Sequence, residues 1–275
     1  MTEAVTEAGL QGVNNIVAVA SGKGGVGKST TAVNLALALQ AEGLRVGILD
    51  ADIYGPSLPR MLGIDDSVQP QVVNGNAFVP VPAHGLKSMS IGYLTSERTP
   101  MVWRGPMAGG ALTQMLEQCL WGELDVLVVD MPPGTGDIQL TLSQKVRLAG
   151  AVIVTTPQDI ALLDARKGIE MFRKVQVPVL GVVENMALHV CSNCGHREAI
   201  FGEGGGARVA SDYATALLGA LPLERRIREE GDRGTPIVLS EPRGEIAACY
   251  REIARNLISA LGENPMSAPT ISIEE

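Results

Sequence analysis

The sequence has little of what several classes of protein require. Only four of its 275 residues are cysteine, too few for the disulfide framework of a small secreted domain. Lys and Arg total 22 against 30 Asp and Glu, and a net charge of −8 without a basic tract argues against nonspecific nucleic-acid binding. No apolar run approaches the roughly 18 residues that cross a bilayer, and the acidic N-terminus does not resemble a secretory signal. We therefore expect a cytoplasmic protein that binds neither nucleic acid nor membrane.

A glycine-rich loop lies between an apolar, β-branched run and a stretch rich in helix formers. The loop contains the pattern G-x-x-x-x-G-K-[ST] and reads Ala20-Ser21-Gly22-Lys23-Gly24-Gly25-Val26-Gly27-Lys28-Ser29-Thr30. Its glycines let successive backbone N–H groups turn inward around phosphate oxygens, and the following helix N-terminus adds unpaired donors. Lys28 is placed to reach the β- and γ-phosphates, and the hydroxyl of Ser29 suits Mg²⁺. These residues predict a site for a nucleoside triphosphate with Mg²⁺.

Strand and helix patterns alternate along the chain, which predicts an α/β fold with a doubly wound, mostly parallel sheet. Strands are predicted at 15–20, 44–50, 124–130, 151–155 and 179–184, and helices at 29–39, 107–118, 159–174 and 241–261. An Asn-Gly turn inside residues 68–94 predicts a hairpin of unassigned role. We expect a flexible leader over 1–14, a single ATPase domain over 15–261 with a metal-binding loop near 186–207, and a disordered tail over 262–275.

An acidic residue ends the apolar run at 124–130. A carboxylate in this position beside a phosphate loop predicts that Asp130 holds Mg²⁺ through water. The loop that follows reads Met131-Pro132-Pro133-Gly134-Thr135-Gly136-Asp137, in which the backbone N–H of Gly134 is a candidate donor to the γ-phosphate. Asp137 reads either as part of this site or as a helix N-cap.

Two cysteines stand three positions apart, Cys191 and Cys194. Two such thiolates can bind one metal ion or cluster, but a tetrahedral or cubane site needs about four ligands, so a second copy of the chain is the simplest source of the others. An intrachain zinc site with His189 and His196, a redox pair and purely structural cysteines remain alternatives. The two single cysteines, Cys119 and Cys249, are expected in the core.

The second lysine of the glycine-rich loop, Lys23, makes the loop similar to the deviant phosphate loop of the family that includes MinD, ParA and the nitrogenase iron protein. This resemblance implies a homodimer in which Lys23 reaches the partner's phosphates. It also implies that Asp52, with Asp50 as the alternative, acts on the attacking water, and that Asn185 and Pro222 border the adenine. The guanine-specific Asn-Lys-x-Asp pattern is absent after Asn185, which favours ATP over GTP.

Over about residues 14–260 the chain resembles the Mrp/ApbC family of iron–sulfur cluster carrier ATPases. The similarity rests on the loop at 20–30, the runs at 50–57, 103–107 and 130–137, and the Cys-x-x-Cys pair. It implies a labile [4Fe–4S] cluster between two subunits, its transfer to apoproteins, and coupled ATP hydrolysis. No role follows for Arg104. The alternatives are a MinD/ParA-like positioning ATPase and a nickel or zinc metallochaperone.

Overall fold

The computed structural model describes residues 8–94 and 105–263. The strands in this part of the chain are β1 Val13–Ala20, β2 Val46–Asp50, β3 Val72–Val73, β4 Ala77–Phe78, β5 Val81–Ala83, β6 Leu86–Ser90, β7 Leu124–Asp130, β8 Gly150–Thr155, β9 Val179–Glu184, β10 His189–Val190, β11 Arg197–Glu198 and β12 Leu217–Ala220. The helices are α1 Lys28–Ala41, α2 Leu58–Met61, α3 Gly105–Glu117, α4 Asp137–Lys145, α5 Asp159–Lys174, α6 Gly205–Asp212, α7 Arg225–Asp232, α8 Ile237–Ser240 and α9 Glu245–Glu263, with a 3-10 turn at Ile91–Tyr93.

Eight strands form one sheet in the order β12-β9-β8-β1-β7-β2-β6-β5. Every neighbouring pair is parallel except β5 with β6. The central strands are apolar runs buried on both faces, as a parallel sheet between two helical layers requires. The predicted fold class is therefore confirmed.

Two apolar cores cover the two faces of the sheet. Helices α3, α4, α5 and α6 pack on one face, and α1, α8 and α9 pack on the other. The strand order reverses at β1. Strands β2, β5, β6 and β7 lie on one side of β1 in the sheet, whereas the later strands β8, β9 and β12 lie on the other side. In a doubly wound sheet this reversal opens a crevice at the carboxyl ends of the strands, where ligands bind. The phosphate loop and the strand-end acids lie at that edge.

Several predicted boundaries need correction. The leader was predicted to end at residue 14, but β1 begins at Val13 and the N–H of Gly9 donates to Cys119 O at 3.0 Å, so residues 8–14 belong to the folded domain. The helix predicted at 241–261 begins at Glu245, after a Pro-Arg-Gly interruption, and continues to Glu263. The predicted hairpin is present as β3 and β4 around Asn74-Gly75. The run at 103–104 and the tail from 264 lie outside the described residues.

Among the described helices, none combines the length and apolar composition needed to cross a bilayer.

Candidate nucleotide site and cysteine loop

The phosphate loop runs from the end of β1 to the start of α1. Gly25 and Gly27 have φ of +83° and +82°, a conformation that favours glycine. Position 22 requires glycine for another reason, because a Cβ there would lie 2.0 Å from the carbonyl oxygen of Asp164 in α5. Loop geometry and packing against a neighbouring helix thus both shape the predicted phosphate cradle.

A buried ion pair crosses the predicted site. Lys28 Nζ lies 2.5 Å from Asp130 Oδ1 and 3.1 Å from Ser29 Oγ, and the two charged side chains are 6% and 0% exposed. Removing two charged side chains from water is unfavourable unless they pair closely, and the short contact between Lys28 and Asp130 supplies that pairing. The structure therefore brings together three residues that the sequence assigned to the phosphates and Mg²⁺.

The oxygen donors present fit the implied Mg²⁺. Asp130 Oδ2 is buried and accepts no hydrogen bond from the part of the chain that the structure describes. A buried carboxylate oxygen without a partner is energetically costly and marks a position where a cation or its water completes the site. Ser29 and Asp130 would hold the ion, which when bound neutralises charge on the phosphate oxygens.

Asp50 organises the loop that carries Asp52. Its buried carboxylate accepts hydrogen bonds from the backbone N–H of Asp52 at 3.1 Å, Ser57 at 3.0 Å and Leu58 at 3.1 Å. Burial, and then the charge of Asp130 on the neighbouring strand, raise the pKa of Asp50 to about 7. The carboxylate therefore ties both ends of the 52–58 loop to the end of β2, a role that the sequence alone did not indicate.

Asp52 itself is half-buried and lies on the wall of a 360 Å³ cavity beside Tyr54, Pro133 and Gln139. Burial is the main cause that raises its carboxyl pKa, and Lys28 acts in the opposite direction. A half-buried carboxylate on a cavity wall, close enough to feel the charge of Lys28, is suitably placed to orient a water molecule. Its catalytic role stays a prediction.

The loop after β7 is held against the phosphate loop. The N–H of Gly134, which has φ of +95°, donates to Ser21 O at 2.9 Å. Gln139 Nε2 in α4 donates to Pro132 O at 3.0 Å and Pro133 O at 2.9 Å. Donation from Gly134 to a γ-phosphate therefore requires this contact to open. Gln139 was not singled out from the sequence, where a helical glutamine carries no signal.

Asn185 follows β9 and contacts the phosphate loop directly. Its Nδ2 donates to Val26 O at 2.8 Å, and a Cβ at Gly27 would lie 2.2 Å from that nitrogen. One amide hydrogen is therefore committed to the loop, and base recognition by Asn185 stays a prediction. Pro222, predicted to border the adenine, lines a different cavity that also contains Cys191.

The remaining predicted site residues are placed as follows. The ammonium of Lys23 makes no hydrogen bond or ion pair within the described ranges, although the carbonyl of Lys23 accepts from Ser21 Oγ at 2.8 Å, so the side chain is available to an added anion. Gly24 is exposed, and Thr30 lies in the first turn of α1, where its carbonyl accepts from Asn34. The side chain of Asp137 lies outside the described atoms, although α4 begins at this residue.

The cysteine loop, residues 186–204, projects from the end of β9 and contains the β10–β11 hairpin. Within it the N–H of Cys191 donates to His196 O at 2.9 Å and the N–H of Gly195 donates to Cys191 O at 2.8 Å. This tight turn brings Cys194, which is exposed, next to the partly buried Cys191. Backbone N–H groups of Asn193 and Cys194 lower the pKa of the Cys191 thiol.

The intrachain zinc alternative finds no support. No group of three or more His, Cys, Asp or Glu side chains that could hold a metal ion occurs in residues 8–94 and 105–263. His189 is held by its Nδ1, which lies 3.1 Å from Leu223 O. Cys119 is buried as predicted, and Cys249 is partly buried: it packs against one of the two cores and also lines the same cavity as Cys191.

A strand, phosphate loop and helix at the switch point of a parallel sheet define a P-loop nucleoside triphosphatase. Solved structures with this fold include the cell division ATPase MinD of Pyrococcus furiosus, with a TM-score of 0.66 at 21% identity over 90% of this chain and 99% of that one, a likeness that shows the fold alone. The nucleotide-binding protein of Archaeoglobus fulgidus in complex with ADP is 37% identical, with a TM-score of 0.75 over 88% of this chain and 93% of that one.

Within this class the chain belongs to the family of the NUBPL iron-transfer P-loop NTPases, whose model matches residues 12–258. The iron-sulfur cluster carrier protein of Pseudomonas fragi is 64% identical over 90% of this chain and 86% of its own length. The protein of that name in Escherichia coli K12 is 61% identical, over 92% and 68%. The iron-sulfur cluster transfer protein NUBPL of Mus musculus is 50% identical, over 93% and 80%.

Proposed function

We propose that this chain is an ATP-dependent iron–sulfur cluster carrier that binds a labile [4Fe–4S] cluster at a homodimer interface and transfers it to apoproteins. The observation that carries the proposal is the Cys191–Cys194 turn, exposed on a loop whose base contacts the phosphate loop. Relatives at 50% to 64% identity bear the names of cluster carrier or transfer proteins. Free cysteines suit a reducing compartment such as the cytoplasm.

Two features support the dimer. The described chain offers no third ligand beside Cys191 and Cys194, whereas a [4Fe–4S] cluster takes about four thiolates, so two copies together complete the set. Lys23 keeps an unpaired ammonium at the mouth of the phosphate loop. In the proposed dimer Lys23 reaches the phosphates bound by the partner, which makes closure dependent on ATP.

Hydrolysis uses the residues grouped at the switch point. The loop amides and Lys28 bind the phosphates, Ser29 and Asp130 hold Mg²⁺, and Asp52 orients the attacking water. The ammonium of Lys28 lies 2.5 Å from Asp130, so it is already at the site and turns from this carboxylate to the phosphates when the nucleotide binds. Clamping of the loop by Asp50 holds Asp52 near its working position.

Contacts at both ends of the cysteine loop support coupling between nucleotide and cluster. At its start Asn185 bonds to Val26 in the phosphate loop. At its end the carboxylate of Glu184 accepts from the N–H of Gly206 at the start of α6. A change in the phosphate loop on ATP binding or hydrolysis is thus transmitted to the segment that holds Cys191, and exposure of the cluster follows the nucleotide state.

Anaerobic reconstitution with iron and sulfide tests the proposal. We expect about four irons and four sulfides per dimer, lost in Cys191→Ala and in Cys194→Ala. Cys249→Ala is the matched control and keeps the cluster. Zinc at about one per chain without sulfide would contradict the proposal and make Cys191 and Cys194 a structural metal site, and nickel in their place would indicate a metallochaperone.

A further inference from the structure

A cavity of 540 Å³ lies beneath the cysteine loop, between that loop, the end of β12 and the start of α9. We call it the thiol cavity, and its defining residues are Cys191, Arg197, Pro222, Glu245, Ile246 and Cys249. Its volume is within the range of small-molecule sites, which are typically about 300–1,000 Å³. No residue of the phosphate loop lines it.

Most of the wall of the thiol cavity is apolar. Leu188 and Val190 come from the cysteine loop, Leu221 from the turn after β12, and the buried Ile246 from α9. Apolar walls with a few convergent polar groups are typical of sites for small organic ligands.

Two oppositely charged side chains at the cavity form no ion pair within the described ranges. The guanidinium of Arg197 on β11 and the carboxylate of Glu245 at the start of α9 make no hydrogen bond there either, although burial and then nearby charges, that of Glu245 among them, raise the pKa of the Cys249 thiol. The other guanidinium of the lining, Arg226, is already paired, at 2.7 Å from Glu241 and 3.4 Å from Glu224. One free cation and one free anion around an apolar space complement a ligand with both a carboxylate and an ammonium group.

We propose that the thiol cavity binds a small zwitterionic thiol, a free cysteinyl peptide of the size of glutathione. Its carboxylate pairs with Arg197, its ammonium pairs with Glu245, and its apolar part lies on Ile246. This arrangement places the ligand's thiol at the cavity wall formed by Cys191. Binding of this ligand does not depend on the proposed function, but its role does: the bound thiol would supply an exchangeable thiolate where the cluster is held.

Calorimetric titration of the cluster-free protein with reduced glutathione tests the binding directly. We expect one site per chain with a dissociation constant of about 1 mM or lower. Arg197→Gln and Glu245→Gln each weaken it about five-fold, as expected for loss of one exposed ion pair. Arg208→Gln and Glu263→Gln, whose side chains lie outside the cavity lining, are the matched controls and leave the constant unchanged.

A variant with a smaller thiol cavity distinguishes binding inside the cavity from attraction to its surface charges. Ala220 is exposed on the cavity wall, so Ala220→Leu adds bulk there without disturbing the core. We expect this variant to lose the glutathione site while its thermal unfolding matches that of the parent.

A tripeptide with blocked ends distinguishes a free thiol from an internal cysteine segment of a client protein. Acetyl-Gly-Cys-Gly-amide has no terminal charges and is expected not to bind. No saturation up to about 10 mM glutathione, equal binding of the blocked peptide, or unchanged binding in both charge variants would overturn the proposal. The titration uses cluster-free protein, so the two tests are independent. Absence of glutathione binding does not affect the reconstitution result, and failed reconstitution does not prevent interpretation of the titration.

Discussion

Replacement of Gly22 by alanine is expected to destabilise the chain, because α5 leaves no room for a methyl group. The added Cβ would lie 2.0 Å from the carbonyl oxygen of Asp164 and 2.1 Å from its carbonyl carbon, whereas ordinary contacts begin at 3.4 Å. The near atoms are backbone, so no side chain can rotate away. The phosphate loop and α5 must therefore separate by more than about 1 Å.

The size of the effect follows from measured costs of overpacking. Forcing extra volume into a packed site costs about 1–3 kcal/mol, and each kcal/mol lowers Tm by about 2–4 °C in a domain near this size. We therefore expect Gly22→Ala to unfold about 2–12 °C below the parent in a nucleotide-free thermal melt followed by circular dichroism.

Gly24 provides the matched control in the same loop. A Cβ there meets only Pro133 Cβ at 4.0 Å, so Gly24→Ala should change Tm by less than about 2 °C. If the two variants melted at the same temperature, the packing of the loop against α5 would not be what requires glycine at position 22.

Four further predictions concern the site. Asp52→Asn should lower ATP turnover by about 100-fold or more while ATP still binds, and unchanged turnover would remove Asp52 from the reaction. Lys23→Ala should bind ATP as a monomer in light scattering, and an ATP-dependent dimer would contradict its proposed role. In cluster-free protein iodoacetamide should modify Cys191 before Cys249, because the pKa of Cys191 is lowered and burial raises that of Cys249; mass spectrometry showing the reverse order would refute this. The folded protein keeps a proton on Asp50 up to about pH 7 while the unfolded chain releases it near 3.8, so stability should fall as pH rises between these values. Urea titrations should show a weaker decline in Asp50→Asn, and identical pH profiles would contradict the raised pKa of Asp50.

Local patterns were sufficient to predict much of the fold. The strand at 179–184 and the helix at 159–174 match β9 and α5 residue for residue, because each has a clear apolar period and ends at a polar or proline-containing turn. The acids Asp50 and Asp130 were correctly placed at strand ends, since each follows a continuous apolar run and precedes a loop pattern. Their approach across neighbouring strands follows from the parallel register.

Long-range contacts could not be predicted from the sequence. The hydrogen bond from Asn185 to Val26 joins residues far apart in the chain, and no local spacing indicates it. The same holds for Cys249, which packs against the core as its helical apolar neighbours suggest but also lines the cavity under Cys191. In both cases tertiary packing, rather than local propensity, decides what the side chain contacts.

Transfer of a cluster tests the central claim most directly. Reconstituted protein is mixed anaerobically with an apoprotein that requires a [4Fe–4S] cluster, in the presence of an iron chelator, and the activity of the acceptor is followed. The account predicts that the parent chain activates the acceptor despite the chelator, whereas chain lacking Cys191 or Cys194 does not. An acceptor that stays inactive, or that is activated equally by the cysteine variants, would contradict the account.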